Sequence, residues 1–347
     1  MSKLDNQDIQ KYLKKAGFDP DMDNKLDITL EEIESFGDQG SLKNMGLNIM
    51  KYNRMLAERI TFINPELTKV IPFTRENLYL ICAFTGNGKS TISANISYPL
   101  WKQGKKILVI SNEESEQDIL FRISCLECGY NFNDYKKGAM PLDTQREVCK
   151  KFQDIAKYVK VLDVNHKEGF TTKLEGIKNA LTAVQTSDFS CVLIDYYQLI
   201  RYSVHDPGRS TYDVLNDLRI WFGQYIKNSN VPIVVFAQLH SIGKRTNKEL
   251  DSRIKDSPGI MEPSTVIIEV VPNFELKTST FIIHKDRFGL SGKRMVCKFD
   301  NGHYVNISEH ELELLKNSQK RIKGEKELEN LQGLLNEDSV HGENSDE

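Results

Sequence analysis

Residues 78–94 read LYLICAFTGNGKSTISA, and the fold turns on how that stretch is parsed. It opens as an apolar run of strand length, passes through a turn studded with glycine, and continues in a helix-like pattern. Ala83-Phe84-Thr85-Gly86-Asn87-Gly88-Lys89-Ser90 follows the P-loop template except at its first position, where Ala stands in place of Gly. The strand before and helix after that the template requires are both present. Gly86 and Gly88 let the backbone wrap tightly, so that several N–H groups converge on phosphate oxygens at a helix N-terminus. Lys89 is expected to reach the β- and γ-phosphates, Ser90 to ligate Mg²⁺, and Thr91 to assist at the helix start. The stretch therefore reads as a nucleoside triphosphate site, with ATP and Mg²⁺ as the implied cofactors.

Outward from this loop, short apolar runs recur at 106–111, 159–164, 191–196, 232–238, 264–271 and 280–284. Several alternate with amphipathic helical stretches at 116–126, 172–184 and 211–229, the signature of a mostly parallel sheet with crossover helices, an α/β fold. The last segments, ending in MVCKFDNGHYVNI, read as antiparallel additions at one edge, with Asn301-Gly302 as a hairpin turn. Ligands of open α/β sheets bind at the carboxyl ends of strands. Asp195, closing CVLID, is thus placed to serve Mg²⁺. Past KILVIS stand Asn112-Glu113-Glu114, and a carboxylate there can deprotonate the attacking water. Strand alternation favours Glu113, with Glu114 behind it. Gln238, at the end of PIVVFAQ, is a neutral side chain able to sense a γ-phosphate through a hydrogen bond.

The remaining sequence sets the boundaries. Residues 1–64 carry helical patterns, including a capping-box signal at Thr29 and Glu32, and read as a helical N-terminal region or an arm packing on a neighbouring subunit. The motor-like unit is expected over 65–310. Residues 311–347 read as a charged helix followed by a disordered acidic tail, since 336–347 contain five acids and no Lys or Arg. Net charge is −3, which excludes a globally basic coat for nucleic acid but leaves room for local basic loops. No apolar run is long enough to cross a bilayer and the start lacks the core of a signal peptide, so no membrane role and a cytoplasmic address are expected. The six cysteines form no disulfide framework, and Cys125 with Cys128 is only half a zinc pattern.

The order of these elements is more specific than any one of them. P-loop, Glu after the second strand, IDYYQL, FAQLH and FIIHKDRFG follow one another in a way that resembles the RecA-like motor domain of DnaB-type replicative helicases, over roughly residues 65–308. The resemblance implies an ATP hydrolase coupled to DNA unwinding, with Lys89 and Ser90 as phosphate and Mg²⁺ ligands, Glu113 as catalytic base, Asp195 as Mg²⁺ partner and Gln238 as γ-phosphate sensor. It also makes Lys285 and Arg287 a pair inserted into the neighbouring subunit's ATP site, where they neutralise charge on the transferred phosphoryl group. A homo-oligomer, by family a hexameric ring, follows from that. Single-stranded DNA is the implied partner, held by loops lining a channel: Arg201 and Arg209 after the Asp195 strand, and Lys244, Arg245, Lys248, Arg253 and Lys255 after Gln238. The short N-terminal region departs from the larger collar domain of the family and resembles the compact members encoded by bacteriophages. Primase, loader or polymerase contacts are implied only through the family. Two other readings fit the same sequence elements: a RecA/RadA-like strand-exchange ATPase, and an ATP-binding helicase loader or scaffold that does not translocate.

Overall fold

Alternate residues of the first strand face opposite ways, and both ways lead into apolar packing. In the computed structural model, β1 (Leu78–Phe84) is buried along its whole length. Tyr79 and Ile81 enter one core, while Leu78, Leu80, Cys82 and Phe84 enter the other. A strand covered on both faces must read as a continuous apolar run, which is why LYLICAF carries no polar alternation. The structure describes residues 61–319 apart from 72, 164–172, 186, 201–209, 230, 241–249, 251–252, 255–257, 288 and 290.

After β1 come α2 (Lys89–Lys102), β2 (Lys106–Ser111), α3 (Glu116–Glu127), α4 (Phe132–Lys136), α5 (Leu142–Ile155) and β3 (Val159–Leu162). Then follow α6 (Leu174–Val184), β4 (Phe189–Asp195), α7 (Thr211–Tyr225), β5 (Ile233–Leu239), β6 (Val266–Asn273), β7 (Thr278–Asp286), β8 (Arg294–Asp300) and β9 (His303–Asn306). A short α1 (Pro65–Val70) precedes them, and residues 309–319 form a further helix. The nine strands make one sheet in the order β3-β2-β4-β5-β1-β6-β7-β8-β9. Strands β1 to β6 are parallel wherever they pair, and β6 to β9 run antiparallel. The expected class is therefore the observed one: a mostly parallel sheet between two helical layers, extended at one edge by an antiparallel meander. At the β8–β9 turn Asn301 and Gly302 both take positive φ, 46° and 89°, as a two-residue hairpin turn of this chemistry requires.

Helix α5 and the short α1 and α4 are additions to the sequence reading. The core also reaches further toward the N-terminus than residue 65. Phe62 is fully buried and packs against Phe73, with ring centroids 5.1 Å apart. Asn64 caps α1 by accepting from the Leu67 N–H at 2.9 Å and donates to the Tyr304 carbonyl at 3.1 Å. Residues 1–60 of the region expected over 1–64, and the acidic tail expected at 336–347, lie outside the described residues.

Candidate active site

Because β1, β2, β4 and β5 are parallel, their C-terminal ends share one edge of the sheet, and register fixes their order there. Ser111 lies beside Asp195, and Gln238 beside Ala83. At that edge the chain leaves β1 through Thr85-Gly86-Asn87-Gly88. Gly86 and Gly88 have φ of 77° and 82°, a region where L side chains are strained. Gly88 is also the N-cap of α2, and a Cβ there would meet the Tyr304 hydroxyl at 3.3 Å. Tyr304, on β9, thus backs the loop from behind, held there by its N–H donating to Asn95 Oδ1 at 3.1 Å. The result is an open glycine turn feeding a helix N-terminus, a backbone shape suited to phosphate.

Around it stand the side chains singled out from sequence. Lys89 is buried, with its ammonium 5.4 Å from the Tyr196 ring centroid. Ser90 Oγ donates to Asp195 Oδ2 at 3.3 Å. Asp195 is only 4% exposed, and its Oδ1 has no hydrogen-bond partner among the described residues. Burial pushes the Asp195 carboxyl up to about 7, with Glu114 and Glu113 adding to the rise and Lys89 opposing it. A buried carboxylate oxygen without a donor, next to a hydroxyl and below a phosphate loop, is the oxygen donor set that a hard divalent cation takes. Ser90 and Asp195 therefore fit Mg²⁺.

The turn after β2 separates the two candidate acids. Asn112 N–H donates to the Asp195 carbonyl at 2.6 Å, tying the turn to β4. Glu114 accepts from Arg122 Nη2 at 2.6 Å, and its N–H donates to Ser111 Oγ at 3.0 Å. Glu113, between them, is exposed. Gln238 donates its side-chain N–H to Thr85 Oγ1, so the β5 end touches the loop directly. Sequence reasoning assigned no role to Gln198, which follows the Asp195 strand in IDYYQL. Its amide donates to the Gln238 carbonyl at 3.0 Å and its oxygen accepts from the Gln238 N–H at 3.1 Å. Gln198 is 2% exposed, and a buried amide in an otherwise apolar segment was the signal available for it.

The basic pair lies elsewhere. β7 runs against β1 and β6, so its C-terminal end is at the opposite edge: Asp286 pairs with Val266, which pairs with Tyr79. Arg287 N–H donates to the Thr265 carbonyl, and Thr265 N–H to that of Leu78. From Leu78 to the end of β1 at Phe84 is about 20 Å at roughly 3.3 Å per residue. Lys285 Nζ donates to the carbonyls of Met261 and Glu262 at 2.8 and 3.1 Å. Burial and the nearby Arg287 guanidinium lower its pKa. Arg287 is exposed and sits beside a groove with Glu76, Ile220, Gly223 and Pro263. The structure therefore does not bring Lys285 and Arg287 to the P-loop of their own chain.

Of the expected DNA contacts, Arg201, Arg209, Lys244, Arg245, Lys248 and Lys255 lie outside the described residues. Arg253 is described, and it is turned inward: Nη1 and Nη2 meet Glu269 Oε1 and Oε2 at 2.6 and 2.8 Å, and His284 joins the same carboxylate at 2.8 Å. Its charge is thus spent within the fold, because a nearly buried Glu269 on β6 needs a counter-charge. Burial works to raise the Glu269 pKa, but His284 and Arg253 together bring it down to about 2.

With this geometry established, residues 66–305 match the family of the DnaB-like helicase C terminal domain. The chain belongs to that family. Two solved structures share its RecA-like fold. The ATPase domain of G40P, 15% identical with a TM-score of 0.62, matches over 78% of this chain and 100% of its own. A DnaB-like replicative helicase, solved with its interactions with primase, is 17% identical with a TM-score of 0.61, over 80% of this chain and 70% of its own. No curated protein matches the chain by sequence. Among the described residues no helix is long and apolar enough to cross a membrane.

Proposed function

We propose that the chain is a ring-forming motor of the replicative helicase family that hydrolyses ATP at subunit interfaces, moves along single-stranded DNA and separates the duplex. The observation that carries this reading is the division of the site between two edges of one sheet. The P-loop, Glu113, Asp195 and Gln238 converge at one edge, and Lys285 and Arg287 stand at the other. A head-to-tail neighbour would close the site, and such heterologous contacts generate rings when the rotation closes; a hexamer is the number the family suggests.

In this mechanism the N–H groups of residues 85–90 cradle the phosphates, and Lys89 neutralises the β- and γ-oxygens. Ser90 and Asp195 would hold Mg²⁺, which when bound offsets charge on the phosphate oxygens. Glu113 takes the proton of the attacking water as the γ-phosphoryl group passes to that water, leaving ADP and inorganic phosphate. Gln238, already resting on Thr85, senses the γ-phosphate and passes its state to the segment that follows β5. Arg287 of one copy, supported by Lys285, stabilises the transferred phosphoryl group in the next. Residues 61–310 serve as the motor, since Phe62 and Asn64 pack within it, and residues 1–60 as the arm that packs on the neighbour. Arg201, Arg209, Lys244, Arg245, Lys248 and Lys255 bind the strand through its phosphates, which makes affinity steeply salt-dependent. The relative solved with primase makes a primase contact a further expectation.

The test is strand displacement on forked duplexes with 5′ or 3′ tails. ATP-dependent displacement from one tail polarity, lost with a non-hydrolysable analogue, is expected. DNA-stimulated hydrolysis without displacement on any fork would instead favour the strand-exchange or scaffold readings.

A further inference from the structure

Next to Glu113, one partly buried ion pair is left without a task. Glu114 and Arg122 meet at 2.6 Å with side chains 22% and 14% exposed. Their other atoms, Glu114 Oε2 and Arg122 Nε, are buried with no partner among the described residues. A partly buried pair that is only half satisfied is a poor way to gain stability, because desolvation of the charges offsets much of their attraction. Its geometry is nevertheless heavily constrained. The Arg122 guanidinium lies 4.1 Å from the centroid of the Phe132 ring, a contact that fixes its plane. Phe132 is itself seated in a small apolar cluster with Cys125, Met140 and Val148. At the other end, Ser111 Oγ donates to the Glu114 carbonyl at 2.6 Å and accepts from its N–H at 3.0 Å. Asn112 holds the turn to the Asp195 strand.

We infer that Arg122 is a positioning residue for the base Glu113: braced on Phe132, it pins Glu114, closes the 111–114 turn, and leaves Glu113 as the carboxylate presented to the attacking water. The inference rests on the reading of Glu113 as base. It also gives the neighbouring acid a purpose. Two adjacent free carboxylates would compete for the same water, and the guanidinium takes one of them out of contention. Lysine cannot substitute, since an ammonium has neither the plane to stack on Phe132 nor the fork to hold a carboxylate.

The test measures ATP turnover and binding of a fluorescent ATP analogue for Arg122→Met, Arg122→Lys and Glu114→Gln, each in the native and the Glu113→Gln background. In the native background Arg122→Met should lower kcat about ten- to a hundredfold, the cost of a displaced catalytic group, with KM and analogue affinity little changed. Arg122→Lys should recover little of that loss. With Glu113→Gln present, Arg122→Met should change residual turnover less than about twofold, because coupled residues are not additive. If Arg122→Met does not fold, Glu114→Gln keeps the shape and an acceptor for Arg122, and should show the same non-additivity with a smaller loss. Normal kcat in Arg122→Met beside an inactive Glu113→Gln overturns the inference alone. Equal losses in both backgrounds with weakened nucleotide binding overturn it as a plain folding defect. Normal turnover in Glu113→Gln itself removes the reading of the base, and the inference with it.

Discussion

The two edges of the sheet are built to different ends. At the C-terminal edge of β1, β2, β4 and β5, polar groups are buried and left incomplete: Asp195 Oδ1, Asn112 Oδ1 and Glu114 Oε2 have no partner among the described residues. At the opposite edge the charged groups are provided for, with Lys285 on two carbonyls and Arg219 on Glu262, and Arg287 stands exposed beside a groove. Unsatisfied buried groups cost free energy in an isolated chain, so the first edge is shaped for something that arrives. The second exposes Arg287, whose Nη2 donates to the Glu262 carbonyl at 3.4 Å. In the function proposed above, these edges are the two halves of one composite site, about 20 Å apart along the strand direction.

Variants can break that comparison from either side. The largest effect is expected from Lys89→Ala, which removes the only lysine of the phosphate loop and should reduce hydrolysis to background; turnover close to native in that variant would remove the nucleotide reading of the first edge. Glu113→Gln should come next, with a loss of about 10²- to 10⁴-fold in kcat and retained nucleotide binding, since shape persists while the base is gone. A full loss in Glu114→Gln beside an active Glu113→Gln would transfer the role to the neighbour.

The smallest effect concerns the joint between the two halves, where Glu269 on β6 holds Arg253 from the segment after β5 and His284 on β7. Its folded pKa is depressed to about 2, below that of an unfolded glutamate. Such a group contributes stability that is fully present above the unfolded pKa and is lost as pH falls through the folded one. Chemical denaturation between pH 6 and pH 3 should therefore show a fall on the order of 2 kcal/mol from this carboxylate, absent in Glu269→Gln. An identical pH dependence in that variant would place the acid sensitivity elsewhere.

Much of this was legible in the sequence, and the exceptions have physical reasons. The strands of the parallel half announced themselves because two-sided burial demands unbroken apolar runs, and the P-loop because its glycines serve a backbone shape. Helix α5 did not, since PLDTQREVCKKFQDI buries only Thr144, Val148 and Ile155, too narrow a stripe to stand out. Glu113 was preferred over Glu114 by strand alternation, yet β2 ends at Ser111. What distinguishes the two acids in the fold is Arg122, a contact across a turn that no local period reveals. Arg253 was read as a loop cation with its neighbours. The lone acid in VIIEVV was the clue to the contrary, because a charge inside a buried strand requires a partner.

The central claim is that Arg287 serves the ATP of another copy, and mixing tests it most directly. Lys89→Ala subunits still offer Arg287, and Arg287→Ala subunits still offer an intact P-loop. Each alone should be inactive, with the arginine variant down about 10³-fold or more. Mixed under conditions where co-assembly is verified, they should regain hydrolysis, greatest near equal proportions, because some interfaces then pair an intact loop with an intact finger. Near-native turnover in Arg287→Ala alone, or no rescue in verified mixed assemblies, would contradict the account.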